Sequence, residues 1–97
     1  MAMMEISVVP LGTGKASVSE YVARALKVVE ESGLEYMLTP MGTVVIGETE
    51  ELLKLAARMH NTVMKEVVRV VTYIKIDERK DKELTFDGKI KSVKEKL

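Results

Sequence analysis

Glu35-Tyr36-Met37-Leu38-Thr39-Pro40-Met41-Gly42-Thr43-Val44-Val45-Ile46 reads as two short apolar runs folded back on each other, and this reversal decides the fold. The first run spans Glu35 to Thr39 and the second Thr43 to Ile46, so the whole reads as a hairpin. Pro40 fixes one backbone dihedral, and Gly42 permits the left-handed conformations that a tight reversal often needs. Thr39 and Thr43 flank the turn, which puts two hydroxyls at the mouth of the hairpin. Proline and glycine punctuate most hairpins, so these residues alone specify a turn and nothing further.

Toward the N-terminus, Met3 to Leu11 is rich in Ile and Val and ends among Pro10, Gly12 and Gly14, as a strand would. Its period of two puts Ile6 and Val8 on one face and Glu5, Ser7 and Val9 on the other. The loop Gly12-Thr13-Gly14-Lys15-Ala16 invites comparison with phosphate-binding loops. Its glycines are too close together for that pattern, and no nucleotide site is assigned. Ser17-Val18-Ser19-Glu20 has the form of a capping box. Val18, Val22, Ala25, Leu26 and Val29 then recur at helical spacing until Gly33 supplies a stop.

Beyond the hairpin, Thr49 is expected to cap a second helix, with Glu50 and Glu51 in the first turn where the helix dipole favours negative charge. Leu52, Leu55, Ala56, Met59 and Val63 form its apolar stripe. His60 neighbours that stripe and reads as a helix-surface or half-buried residue, because isolated histidines seldom find ligand partners. Val67 to Asp77 is the most β-like run, with Val68, Val70, Thr72, Ile74 and Ile76 on one face and Arg69, Val71, Tyr73 and Lys75 on the other. Residues 78–97 form a charged tail. Asp87-Gly88 marks a turn there, and Lys89 to Leu97 can form a short helix.

The composition removes many function classes. The 97 residues make one domain, 1–97, and the 15 Lys plus Arg balance the 15 Asp plus Glu. A neutral chain is a poor general nucleic-acid binder. With no cysteine there are no disulfides, thiolate nucleophiles or cysteine-ligated metals, and a single histidine leaves no His-rich metal site. No apolar run approaches the ~18 residues of a membrane span, and the N-terminus lacks the basic region of a signal peptide. The expectation is a cytoplasmic protein with no membrane partner, no cofactor, no metal site and no catalytic residues; Glu50 and Glu51 have a simpler role as helix-start acids.

Strand, helix, strand, strand, helix, strand predicts an α+β protein with the ferredoxin-like βαββαβ arrangement. In it, a four-stranded antiparallel sheet carries two helices on one face. Ile6, Val8, Val68, Val70, Ile74 and Ile76 would pack under the helices. The opposite face would carry Ser7, Val9, Val71 and Tyr73, which is apolar enough to predict self-association through the sheet.

The sequence also resembles the small thiamine-binding proteins related to YkoF, over nearly the whole chain. The resemblance rests on Ser7-Val8-Val9-Pro10-Leu11-Gly12-Thr13-Gly14, Ser17-Val18-Ser19, Leu38-Thr39-Pro40-Met41-Gly42-Thr43 and Asp87-Gly88-Lys89-Ile90-Lys91-Ser92-Val93, in order and at matching spacing. It implies a ferredoxin-like fold, a homo-oligomer that is commonly a tetramer built from dimers, and no catalysis. It further implies binding of thiamine or its hydroxymethylpyrimidine moiety. An aminopyrimidine needs a few fixed polar groups beside apolar walls. Ser7, Thr39, Thr43 and the backbone near Gly42 are candidates for the former, and Leu11, Met41 and Tyr73 for the latter. Glu48 and Tyr73 are candidates to face the thiazolium cation. Thr72 is a rival, being a lone hydroxyl in an apolar row that neighbouring backbone would ordinarily satisfy. The alternative reading is a structural or regulatory oligomer whose partner is another protein.

Overall fold

The computed structural model describes all 97 residues. Its elements in order are β1 (Ala2–Leu11), α1 (Ser19–Ser32), β2 (Glu35–Thr39), β3 (Gly42–Gly47), α2 (Thr49–Met64), β4 (Arg69–Glu78) and α3 (Phe86–Lys94). The strands form one four-stranded sheet in the order β2-β3-β1-β4, with every neighbouring pair antiparallel. The protein is therefore α+β, with β1 central and with β2 and β4 at the edges. The short terminal helix expected over Lys89 to Leu97 forms as α3, beginning earlier, at Phe86, and it adds a third helix to the two of the ferredoxin-like arrangement.

Alternation along β1 builds two separate cores. Ala2, Met4, Ile6 and Val8 turn toward α1 and α2, where they meet Tyr21, Ala25, Val28, Val29, Leu52, Leu55, Ala56, Met59 and Val63. The apolar stripe expected of α2 is buried along its whole length. Met3 turns the other way and joins Ile46, its partner across the β1–β3 ladder, and Leu84 in a small second core edged by Val44 and Phe86. Leu84 thus anchors the segment before α3 on the face opposite α1 and α2. Leu84→Ala is expected to cost about 2 kcal/mol, the low end for a buried leucine because only a small cluster surrounds it. Proteolysis should then cut within residues 79–97 before the rest of the chain; unchanged protection of that segment would show that Leu84 does not anchor it.

Several local expectations are corrected. Ser17 does not cap α1: the helix starts one residue after Val18, and the Ser17 hydroxyl accepts from the Ser19 amide at 3.4 Å. Glu20 instead meets Lys15 Nζ at 3.4 Å. Gly33 ends α1 with φ 75°, as the helix stop requires. Glu48, not Thr49, is the N-cap of α2, and its amide donates to Glu51 Oε1 at 3.4 Å. The Thr49 hydroxyl donates to Glu78 instead. Asp87-Gly88 lies in the first turn of α3 rather than in a turn of its own, and Thr85 caps that helix by accepting from the Gly88 amide at 2.9 Å.

Two residues assigned to the core are solvent-facing. β4 begins at Arg69, which leaves Val68 outside the strand and 90% exposed, and Ile74 is exposed as well. The exposure of Ile74 follows from the position of β4 at the sheet edge, where the helices overlap it only in part. Val70 and Ile76 do pack against the main core.

Candidate functional site

A cavity of about 210 Å³ opens beside the tip of the β2–β3 hairpin. It arises from unequal strand lengths. β1 has 10 residues and pairs with β4 as far as Leu11, but its ladder with β3 stops at Ile6, opposite Thr43. Past that point the helices continue over a space that no strand fills. Val18 at the N-cap of α1, Val22 and Ala25 within it and Met59 of α2 form one wall, Ile6 to Val9 of β1 another, and Leu38 to Thr43 the third.

The hairpin chemistry differs from the turn that the sequence suggests. Pro40 and Met41 make the reversal, and Gly42 already belongs to β3 without adopting a positive φ. Its glycine is needed for closeness: a Cβ on Gly42 would lie 3.0 Å from the carbonyl oxygen of Ile6. The Thr39 hydroxyl is consumed within the turn, donating to the Gly42 carbonyl at 2.8 Å and accepting from the Met41 amide at 3.3 Å. Thr43 differs. Its residue is only 4% exposed and lines the cavity, and its hydroxyl, which no other protein group engages, opens onto the cavity rather than being sealed in the core. A hydroxyl that opens onto apolar walls with no internal partner is free to hydrogen-bond a molecule in the cavity.

Of the residues assigned from sequence, the cavity brings together Ser7, Thr39, Met41, Gly42 and Thr43. Met41 stands at its rim, 84% exposed. Leu11 and Tyr73 are elsewhere: Leu11 is the last residue of β1, and Tyr73 lies 62% exposed on the sheet face away from α1 and α2. Glu48 sits at the start of α2, next to the Gly47 end of β3 and so at the far end of the sheet from the hairpin tip. Thr72 has a partner other than backbone, the His60 Nδ1 at 2.6 Å. That bond between α2 and β4 accounts for both residues as half-buried structural groups. Val18, Val22 and Met59 were legible only as core stripe; the sequence signal for a cavity was that the hairpin is shorter than the strand beside it.

Around β4 and α3 the surface is charged and open. Arg79 Nε donates to Asp81 Oδ1 at 2.6 Å, and this bond holds the Asp81 carboxyl down at about 2. No group of three or more His, Cys, Asp or Glu side chains is placed to hold a metal ion, and no helix is long and apolar enough to cross a membrane.

Residues 4–94 match the sequence profile of the family described as thiamine-binding protein. UPF0045 protein MJ1052 of Methanocaldococcus jannaschii is 47% identical over 91 residues, covering 94% of this chain and 90% of that protein. UPF0045 protein YqgV of Bacillus subtilis is 39% identical, covering 100% and 98%. The crystal structure of MJ1052 superposes with a TM-score of 0.90 at 46% identity, covering 97% of this chain and 96% of that one. A Thermotoga maritima protein (TM0486), provisionally assigned to thiamine biosynthesis or salvage, superposes with a TM-score of 0.80 at 25% identity, covering 95% and 97%.

Proposed function

The chain belongs to the thiamine-binding protein family, and from that premise we propose that it is a non-enzymatic binder of thiamine or of its hydroxymethylpyrimidine moiety. The observation that carries this reading is the hairpin-tip cavity, with its apolar walls and the unpartnered hydroxyl of Thr43. Its size suits one substituted ring. No nucleophile with a base beside it lines the cavity, which supports binding without turnover.

The protein works as a ferredoxin-like domain of 97 residues in the cytoplasm and as a homo-oligomer, a homodimer or homotetramer. Supporting this, α3 and Leu84 cover only one end of the second sheet face, and Met37 and Tyr73 remain exposed on it, with Val9 and Val71 half-buried. Two strand edges, β2 and β4, are also free to pair. Sedimentation at micromolar concentration should give a multiple of 10.8 kDa; a monomer would reject this part of the reading. A second reading, a regulatory module that binds another protein, draws on Ile90, Val93 and Leu97, all exposed along and just beyond α3.

Isothermal titration of ligand-stripped protein with thiamine, thiamine diphosphate and hydroxymethylpyrimidine tests the leading reading. Micromolar or tighter affinity, about 8 kcal/mol or more, is expected for at least one of them. Silence from all three in folded protein would move the assignment to the protein-partner reading. Thr43→Val keeps the shape of the side chain and removes its hydroxyl, and it should weaken binding about 3- to 10-fold. Equal affinity in the variant would remove Thr43 from the contacts.

A further inference from the structure

The geometry points to the main chain of Val8 as the recognition edge of the cavity, taking a flat heteroaromatic amine through a ring nitrogen and the amino group next to it. This rests on the small-molecule reading above and adds the group that selects the ligand. The carbonyl of Ile6 lies 3.0 Å from where a Cβ on Gly42 would stand, so it points toward β3. The amide and carbonyl of one strand residue point the same way, and the direction alternates along the strand. Val8 and Pro10 therefore also point toward the β3 side, while Ser7 and Val9 bond to β4. Pro10 agrees independently, because a proline inside a sheet lies where its nitrogen faces no ladder partner.

On that side there is no ladder left. The β1–β3 register ends with Ile6 opposite Thr43, and its continuation would bring Val8 opposite Met41, which is in the turn. No backbone hydrogen bond joins Val8 to Met41, whose own amide goes to the Thr39 hydroxyl. Val8 is thus left with one donor and one acceptor side by side, on the wall of a cavity faced by Val22, Met59 and Thr43.

Unpaired backbone groups must be satisfied when their surroundings lose water. A ligand that fills this space has to present an acceptor and a donor at adjacent positions in one plane. A ring nitrogen beside an exocyclic amine does so, the nitrogen accepting from the Val8 amide and the amine donating to the Val8 carbonyl. The ring then continues the sheet where β3 stops, one face toward Val22 and Met59.

Hydrogen exchange on the ¹⁵N-labelled full chain tests this without altering the protein. The probes are 4-amino-5-hydroxymethyl-2-methylpyrimidine and its analogue with methyl in place of the 4-amino group. In free protein the Val8 amide should exchange about tenfold or more faster than those of Ser7 and Val9, and saturation with the amine should slow it by about tenfold or more. The methyl analogue should bind at least about tenfold more weakly. A Val8 amide already protected in the free protein, binding that leaves it unchanged, or equal affinity for the analogue would each overturn the inference while leaving the small-molecule reading standing. Failure of the amine to bind at all, with thiamine binding retained, overturns the inference alone; failure of every pyrimidine overturns both.

Discussion

Leu52→Ala is expected to destabilise the protein by about 2–5 kcal/mol, the range for emptying a leucine site in a packed core. Leu52 is 0% exposed, belongs to the main core cluster, and sits one turn into α2, where the helix leaves the sheet. Its side chain also closes the space above Gly47, where an added Cβ would lie 3.4 Å from a Leu52 methyl and 3.3 Å from Leu34. The site cannot collapse easily, because β3 is held on one side by β1 and on the other by β2. A domain of this length has only ~5–15 kcal/mol in total, so the loss is a large share. Thermal unfolding should move down by roughly 8–40 °C at ~4–8 °C per kcal/mol. A shift of a degree or two would mean that the core relaxes around the vacancy. The equivalent truncation of surface-facing Leu53, the next residue, should change little, which makes the pair an internal control.

Much of the fold was written locally. The α2 stripe is legible because each of its residues repeats at the helical period, and every one of them is buried. The alternation of Ile6 and Val8 against Ser7 and Val9 survives as two sheet faces for the same reason. What was not legible depends on relations between distant segments. Val68 and Ile74 have the same pattern as Val70 and Ile76, and what tells them apart is that Val68 precedes the start of β4 while Ile74 lies where the helices do not cover this edge strand. Leu84 lies in a charged stretch that reads as a solvated tail, yet it is buried because Met3 and Ile46 form a patch on the far sheet face. The cavity belongs to no motif at all. Thr39, Gly42 and Thr43 could be named from the hairpin, but their roles separate only in three dimensions: Thr39 closes the turn, Gly42 permits approach, and Thr43 alone keeps a free hydroxyl.

Gly42→Val should then do more damage to binding than the loss of either threonine. The obstacle is the main-chain carbonyl of Ile6, 3.0 Å from the new Cβ, and a backbone atom cannot rotate aside as a side-chain tip would. β1 is clamped by its ladder to β4 along its whole length, so the hairpin must move instead. Overpacking of this kind typically costs about 1–3 kcal/mol. The displacement falls at the end of the β1–β3 register, on the residues that frame the cavity, while the main core lies farther along the sheet. The expected result is a folded protein with a modestly lowered melting temperature and affinity reduced about 10-fold or more for whichever pyrimidine the native chain binds. Gly42→Ala places only the Cβ there and should fall between native and valine on both measures. If both variants bind as native protein does, the hairpin tip is not a wall of the site; if both fail to fold, Gly42 serves the sheet as a whole and the cavity is incidental to its conformation. A graded loss of affinity across Gly, Ala and Val in folded protein would tie the closeness of β1 and β3 directly to ligand recognition.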